Sequence, residues 1–138
     1  MESRTAMREF AASVLAFLAV AVVGCASAQE NFRPSGIYSN LSYSEEGGDL
    51  VGMELLIFPA EELAASDYVV FIQIAEGGAP YTALVPLEIR GNEISLVLPS
   101  NGSYSKVQLV GNFRGDDLEI RWPHGALEHL KRGHSYWE

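Results

Sequence analysis

Turn-forming residues recur along this chain about every eight to twelve positions, which leaves room between them only for short strands. The punctuation falls at Glu45-Glu46-Gly47-Gly48-Asp49, Gly77-Gly78-Ala79-Pro80, Gly91-Asn92, Pro99-Ser100-Asn101-Gly102-Ser103, Gly115-Asp116-Asp117 and Pro123-His124-Gly125. Between these points apolar residues alternate with polar ones. Asp67 to Glu76 places Tyr68, Val70, Ile72 and Ile74 on one face, with the β-branched and aromatic density of a strand. Tyr81, Ala83, Val85, Leu87 and Ile89 alternate in the same way, as do Ile94, Leu96 and Leu98. Val107, Leu109, Gly111 and Phe113 follow, then Leu118, Ile120 and Trp122. Gly36 to Tyr43 reads as the first strand, and the first half of Ala126 to Glu138 as the closing one. Leu50 to Phe58 is apolar on both faces, which suits a strand covered on both sides or one turned toward a lipid or partner. Pro59 to Ala65 is a helical turn or an exposed loop. Pro86 lacks an amide donor, so its strand is expected at an edge, bulged or broken there.

The expected fold is therefore all-β. Seven or eight short strands run as an antiparallel up-and-down meander, because the connections are too short for parallel crossovers. Closing the meander into a small barrel removes the edges that invite aggregation.

The N-terminus reads differently. Arg4 and Arg8 precede an uncharged run from Phe10 to Gly24, and small residues follow at once. Such a run is shorter than the roughly 20 residues of a membrane span and fits the apolar region of a signal peptide. Residues 1–24 are read as that signal, extending to 28 if cleavage follows Ala26-Ser27-Ala28. Residues 25–35 form a polar tether and 36–138 a single barrel domain. Cys25 is the only cysteine, so no internal disulfide is available. Val22-Val23-Gly24-Cys25 resembles the bacterial lipobox, which implies lipidation of Cys25. By the same resemblance, Ala26 after that cysteine implies sorting to the outer membrane of a Gram-negative cell. The expected location is the periplasm or a lipid-anchored position on the outer membrane.

Net charge is −9, and losing Glu2, Arg4, Arg8 and Glu9 leaves it unchanged. An acidic domain of this kind is a poor match for nucleic acid or for anionic lipid headgroups. No catalytic constellation stands out. His124, His129 and His134 are five apart, which puts successive imidazoles on opposite faces of a strand and fits no short zinc pattern. Glu45-Glu46-Gly47-Gly48-Asp49 lacks the ligand alternation of a calcium loop. Glu88, Glu93 and Glu119 alternate with apolar residues and read as outward charges. No G-x-S-x-G and no phosphate loop is present. No metal and no cofactor is implied, and the chain is expected not to be an enzyme. A hydrolytic or metal site assembled from residues distant in sequence is the weakest of the readings.

Three segments carry a family resemblance. Gly36-Ile37-Tyr38 opens the first strand, Gly111 to Leu118 (GNFRGDDL) forms a late hairpin, and Leu130 to Trp137 (LKRGHSYW) ends the chain. The first resembles the G-x-W of lipocalins, with Tyr38 in place of Trp. The second is similar to the late hairpin of bacterial lipocalin-like proteins. The third is similar to the LKRG-x-SYW tail of exported proteobacterial proteins. The resemblance to a small calycin-type barrel implies structural roles for Gly36 and Arg132, with Arg132 stacked on Tyr38.

Two expectations about function follow. The first is a non-enzymatic exported barrel that binds a small apolar ligand or another envelope protein, with Tyr38, Tyr68, Phe71, Tyr81, Phe113 and Trp122 as candidates to line the cavity. The competing reading makes the same aromatics core packing and cross-strand pairs, in a structural or envelope-interaction module with a filled interior. Tyr136-Trp137 is expected to clamp a barrel mouth or to face a membrane or partner.

Overall fold

The computed structural model describes residues 33–60, 66–100 and 106–138. The signal segment, Cys25 and the tether through residue 32 lie outside the described residues. So do 61–65 of the helical-turn-or-loop segment and 101–105 of the long turn.

Every regular element among the described residues is a strand: β1 (Gly36–Ser39), β2 (Ser42–Ser44), β3 (Asp49–Pro59), β4 (Tyr68–Glu76), β5 (Tyr81–Arg90), β6 (Glu93–Leu98), β7 (Val107–Arg114), β8 (Asp117–Arg121) and β9 (Leu127–Gly133). From β3 to β9 each strand pairs antiparallel with the next. β1 then pairs with both β9 and β3, which closes an eight-stranded barrel. β2 is the ninth element and pairs with β3. It continues β1 in the same register along β3, from Gly36↔Ile57 to Ser44↔Asp49. The expected first strand is thus one stave with a break at Asn40-Leu41.

The break has a local cause. The Asn40 amide donates to the Met53 carbonyl at 3.0 Å, as in a ladder. The Met53 amide, however, donates to the Asn40 side-chain Oδ1 at 2.7 Å. A side chain has taken the place of a backbone acceptor, so the ladder is interrupted while the polar groups stay satisfied.

Eight strands enclose a space that side chains can fill, and here they do. Leu55, Ile72, Leu96, Leu109, Ile120 and Leu130 meet inside, all buried, and pack with further inward residues from every barrel strand. The alternation read from the sequence holds in β5 to β8, while in β4 the inward phase holds but Val69, Gln73 and Ala75 of the outer phase are buried as well.

Pro86 departs from expectation. β5 is continuous and central, paired with β4 on one side and β6 on the other. Pro86 sits opposite Val69 of β4, whereas the β5–β6 ladder begins at Leu87. Barrel stagger shifts β5 from one neighbour to the other at this point, so the missing amide falls where the second ladder has ended.

The outer wall is less uniform than the core. Leu56, Phe71 and Leu84 are successive register partners on β3, β4 and β5, and they are 38%, 40% and 61% exposed. Beside them, Glu54 and Gln73 are cross-strand partners and are buried. The C-terminal segment covers this pair. Glu54 accepts from Ser135 Oγ at 2.7 Å and from the Tyr136 amide at 2.9 Å. Gln73 Oε1 accepts from Trp137 Nε1 at 3.1 Å. Tyr136-Trp137 therefore straps the side wall rather than clamping a mouth. Two satisfied polar side chains draw it there, and the Trp137 ring stays 61% exposed.

Candidate functional site

A cleft of about 420 Å³ lies at one end of the barrel. Its walls come from the start of β3, the end of β4, the start of β7 and the β8–β9 connection. Met53, Ile74, Val107 and Trp122 supply the apolar lining, and Glu76, His124 and Glu128 the polar part. A smaller depression of about 180 Å³ lies among Glu88, Arg90, Glu93 and Gln108 on the outer wall, where charged side chains make an open, wet surface.

Trp122 follows β8 and is fixed by a tight turn. Its amide donates to the Ala126 carbonyl, and its carbonyl accepts from the Gly125 amide, both at 2.9 Å. The His124 ring lies over it with centroids 5.9 Å apart and planes at 33°. Across the cleft Glu128 lies on β9 at the inward phase of Leu130, two positions on. Glu128 is half-buried, and its Oε2 accepts from Asn40 Nδ2 at 2.8 Å. Asn40 is itself held by the Met53 amide. The interruption of the first stave is thus what aims an amide at the carboxylate.

At the opposite end three side chains pack on one another. Tyr38 and Phe113 pack with centroids 5.5 Å apart and planes at 58°. The Arg132 guanidinium carbon lies 5.6 Å from the Tyr38 ring centroid. Gly36 has φ +149°, and a side chain on it would press against Arg132 Nε at 3.2 Å. Burial, with an added push from Asp116 and against the pull of Arg132, raises the Tyr38 phenol above its ordinary pKa.

The six candidate aromatics do not converge. Trp122 lines the open cleft. Tyr81 is buried in the core, its hydroxyl donating to the Pro99 carbonyl at 3.2 Å, and burial raises its pKa. Tyr38 and Phe113 are buried at the end away from the cleft, and Tyr68 packs part-buried against the core. Phe71 faces outward, because on β4 the inward phase belongs to Val70 and Ile72. Asn40, Met53, Ile74, Val107 and Glu128 were not among the sequence-level candidates. Glu128 had a signal, an acidic residue two positions before Leu130 on the inward phase, and Asn40 stands likewise two positions after Tyr38.

The three histidines stay apart. His129 approaches Glu119 at 3.8 Å, His134 lies 3.0 Å from Glu138, and His124 sits on Trp122. Among the described residues no three His, Cys, Asp or Glu side chains gather as a metal site. Comparison with protein-family models, with curated proteins and with solved structures finds no match in any of the three.

Proposed function

We propose that the chain is a non-enzymatic exported cell-envelope protein that binds a small apolar ligand at the Trp122 mouth of its barrel. The observation that carries this reading is the contrast between the two ends. At one, Tyr38, Phe113 and Arg132 pack on one another, and at the other the described residues open a cleft of about 420 Å³ with apolar walls. Clefts of that order hold small molecules. The interior below is packed, so a ligand lies in the mouth and not in a deep calyx. The Gly36-x-Tyr38 opening and the Arg132 stack support kinship with calycin-type barrels.

Binding is tested with N-phenyl-1-naphthylamine, an uncharged apolar dye that brightens when it leaves water. Saturable brightening, reversed by a competing medium-chain alcohol, is the expected result. Dye fluorescence that rises without saturation overturns the ligand reading and leaves the alternative, a structural or interaction module with a filled core.

Export rests on residues 1–28, and lipidation on Cys25. Mass spectrometry of the N-terminus recovered from a Gram-negative host tests both. Diacylglycerol on Cys25 marks a membrane-tethered lipoprotein, and a free start at Gln29 a soluble exported protein. An intact Met1 start in the cytoplasmic fraction overturns export.

A further inference from the structure

The Trp122 mouth carries charge of one sign. Glu76 and Glu128 are acidic, His124 is its one imidazole, and no lysine or arginine is among the described residues that line it. The two carboxylates are not equivalent. Glu76 is exposed at the rim, whereas Glu128 is half-buried on the inward phase of β9. Glu128 is also pre-positioned. Its Oε2 is held by Asn40 Nδ2 at 2.8 Å, and Asn40 Oδ1 is held by the Met53 amide at 2.7 Å. Its other oxygen, Oε1, makes no hydrogen bond to the described residues. A carboxylate withdrawn from bulk water and offered one amide has bonding capacity left over. An ammonium group meets that capacity, and a second carboxylate would be repelled. Trp122 lines the same cleft beneath the His124 ring and adds to its apolar wall.

On the basis of the proposed ligand site, we infer that the mouth selects ligands bearing a protonated amine or quaternary ammonium on a short apolar body, with Glu128 as counter-ion. The selectivity is electrostatic, and the apolar lining supplies affinity without regard to charge.

Octylamine, octanol and octanoate test this at neutral pH, because they share a chain length and differ in headgroup charge. Trp122 emission is the readout, in a Trp137→Phe background that removes the second indole. Octylamine should bind about tenfold or more tightly than octanol, with octanoate weakest. Added salt should narrow the gap between amine and alcohol and leave octanol unchanged. Glu128→Gln should bring octylamine to the octanol level without changing octanol, and Glu76→Gln should move octylamine by less than about twofold. Equal affinity for octylamine and octanol in the Trp137→Phe protein overturns the charge selection while the apolar site stands. Tightest binding by octanoate also overturns it. Undiminished amine preference in Glu128→Gln overturns the assignment of the counter-ion. Failure of all three probes to saturate removes the ligand site itself.

Discussion

Arg132 and Tyr38 are register partners across the seam between β9 and β1, and together they hold three consecutive carbonyls of the incoming chain. Arg132 Nη1 donates to Arg33 O at 3.0 Å and Nη2 to Ser35 O at 2.6 Å. The Tyr38 hydroxyl donates to Pro34 O at 3.0 Å. The guanidinium fork has the shape for two carbonyls at once, while an ammonium is a single point of charge. Arg132→Ala should therefore cost about 1–2 kcal/mol, discounted for the exposure of the side chain. Arg132→Lys should recover less than half of that. Urea denaturation midpoints measure both, and amide exchange over residues 33–39 should quicken in step.

The two buried phenols make stability depend on alkaline pH. Tyr38 and Tyr81 both have pKa values raised in the folded state, chiefly by burial. An acid whose folded pKa is raised keeps its proton in the fold after the unfolded chain has released it. Its stabilising contribution is complete below the ordinary tyrosine pKa of about 10 and is lost as pH rises toward the folded value. Denaturation midpoints should thus hold steady up to about pH 9.5 and fall above it. Tyr38→Phe and Tyr81→Phe should each flatten the fall. Each should also lower the neutral-pH midpoint by the equivalent of about 1 kcal/mol, since a carbonyl acceptor is left unmet.

The C-terminal strap depends on Glu54. Replacing it with alanine removes the acceptor for Ser135 and for the Tyr136 amide in one step. Trp137 would then keep its contact to Gln73, the hydrogen bond of its amide to Ser135 Oγ at 3.3 Å and a T-shaped contact with Tyr136, ring centroids 5.2 Å apart. In a Trp122→Phe background, Glu54→Ala should shift Trp137 emission toward that of free indole in water. The cost in stability should be about 1–2 kcal/mol, because the tail is exposed on its outer side. Glu54→Gln retains an acceptor oxygen and should fall between the two.

The barrel was legible in the sequence because its two signals agree. Turn residues mark where strands end, and period-two alternation marks which face is buried, so strands β4 to β8 follow directly from Tyr68 through Trp122. Register was not legible, and the misjudged residues depend on it. Pro86 alone forbids one hydrogen bond, but which ladder it faces is set by barrel stagger. Leu50 to Phe58 looked apolar on both faces because it serves two surfaces: Met53, Leu55 and Ile57 enter the core, while Leu56 joins the outer row with Phe71 and Leu84. The mouth was hidden for the same reason. Asn40 and Glu128 stand 88 positions apart and meet only when β9 and β3 both close on β1.

Gly52 ties the stability of the barrel to the shape of that mouth. Its φ is +107°, and a Cβ there would lie 2.6 Å from the Asn40 carbonyl oxygen and 2.7 Å from Asn40 Oδ1. Neither contact can be relieved without moving the residue that holds Glu128. Gly52→Ala should therefore cost about 2–4 kcal/mol, from backbone strain and displacement together. Because Gly52 also lines the cleft, the same substitution should weaken octylamine binding relative to octanol as Asn40 shifts away from the carboxylate. Gly78→Ala is the matched comparison: a Cβ there meets nothing within 4 Å. It should leave both the denaturation midpoint and the amine preference unchanged. If Gly52→Ala lowers stability yet preserves the preference, Asn40 is a backbone surrogate for the first stave and takes no part in positioning Glu128.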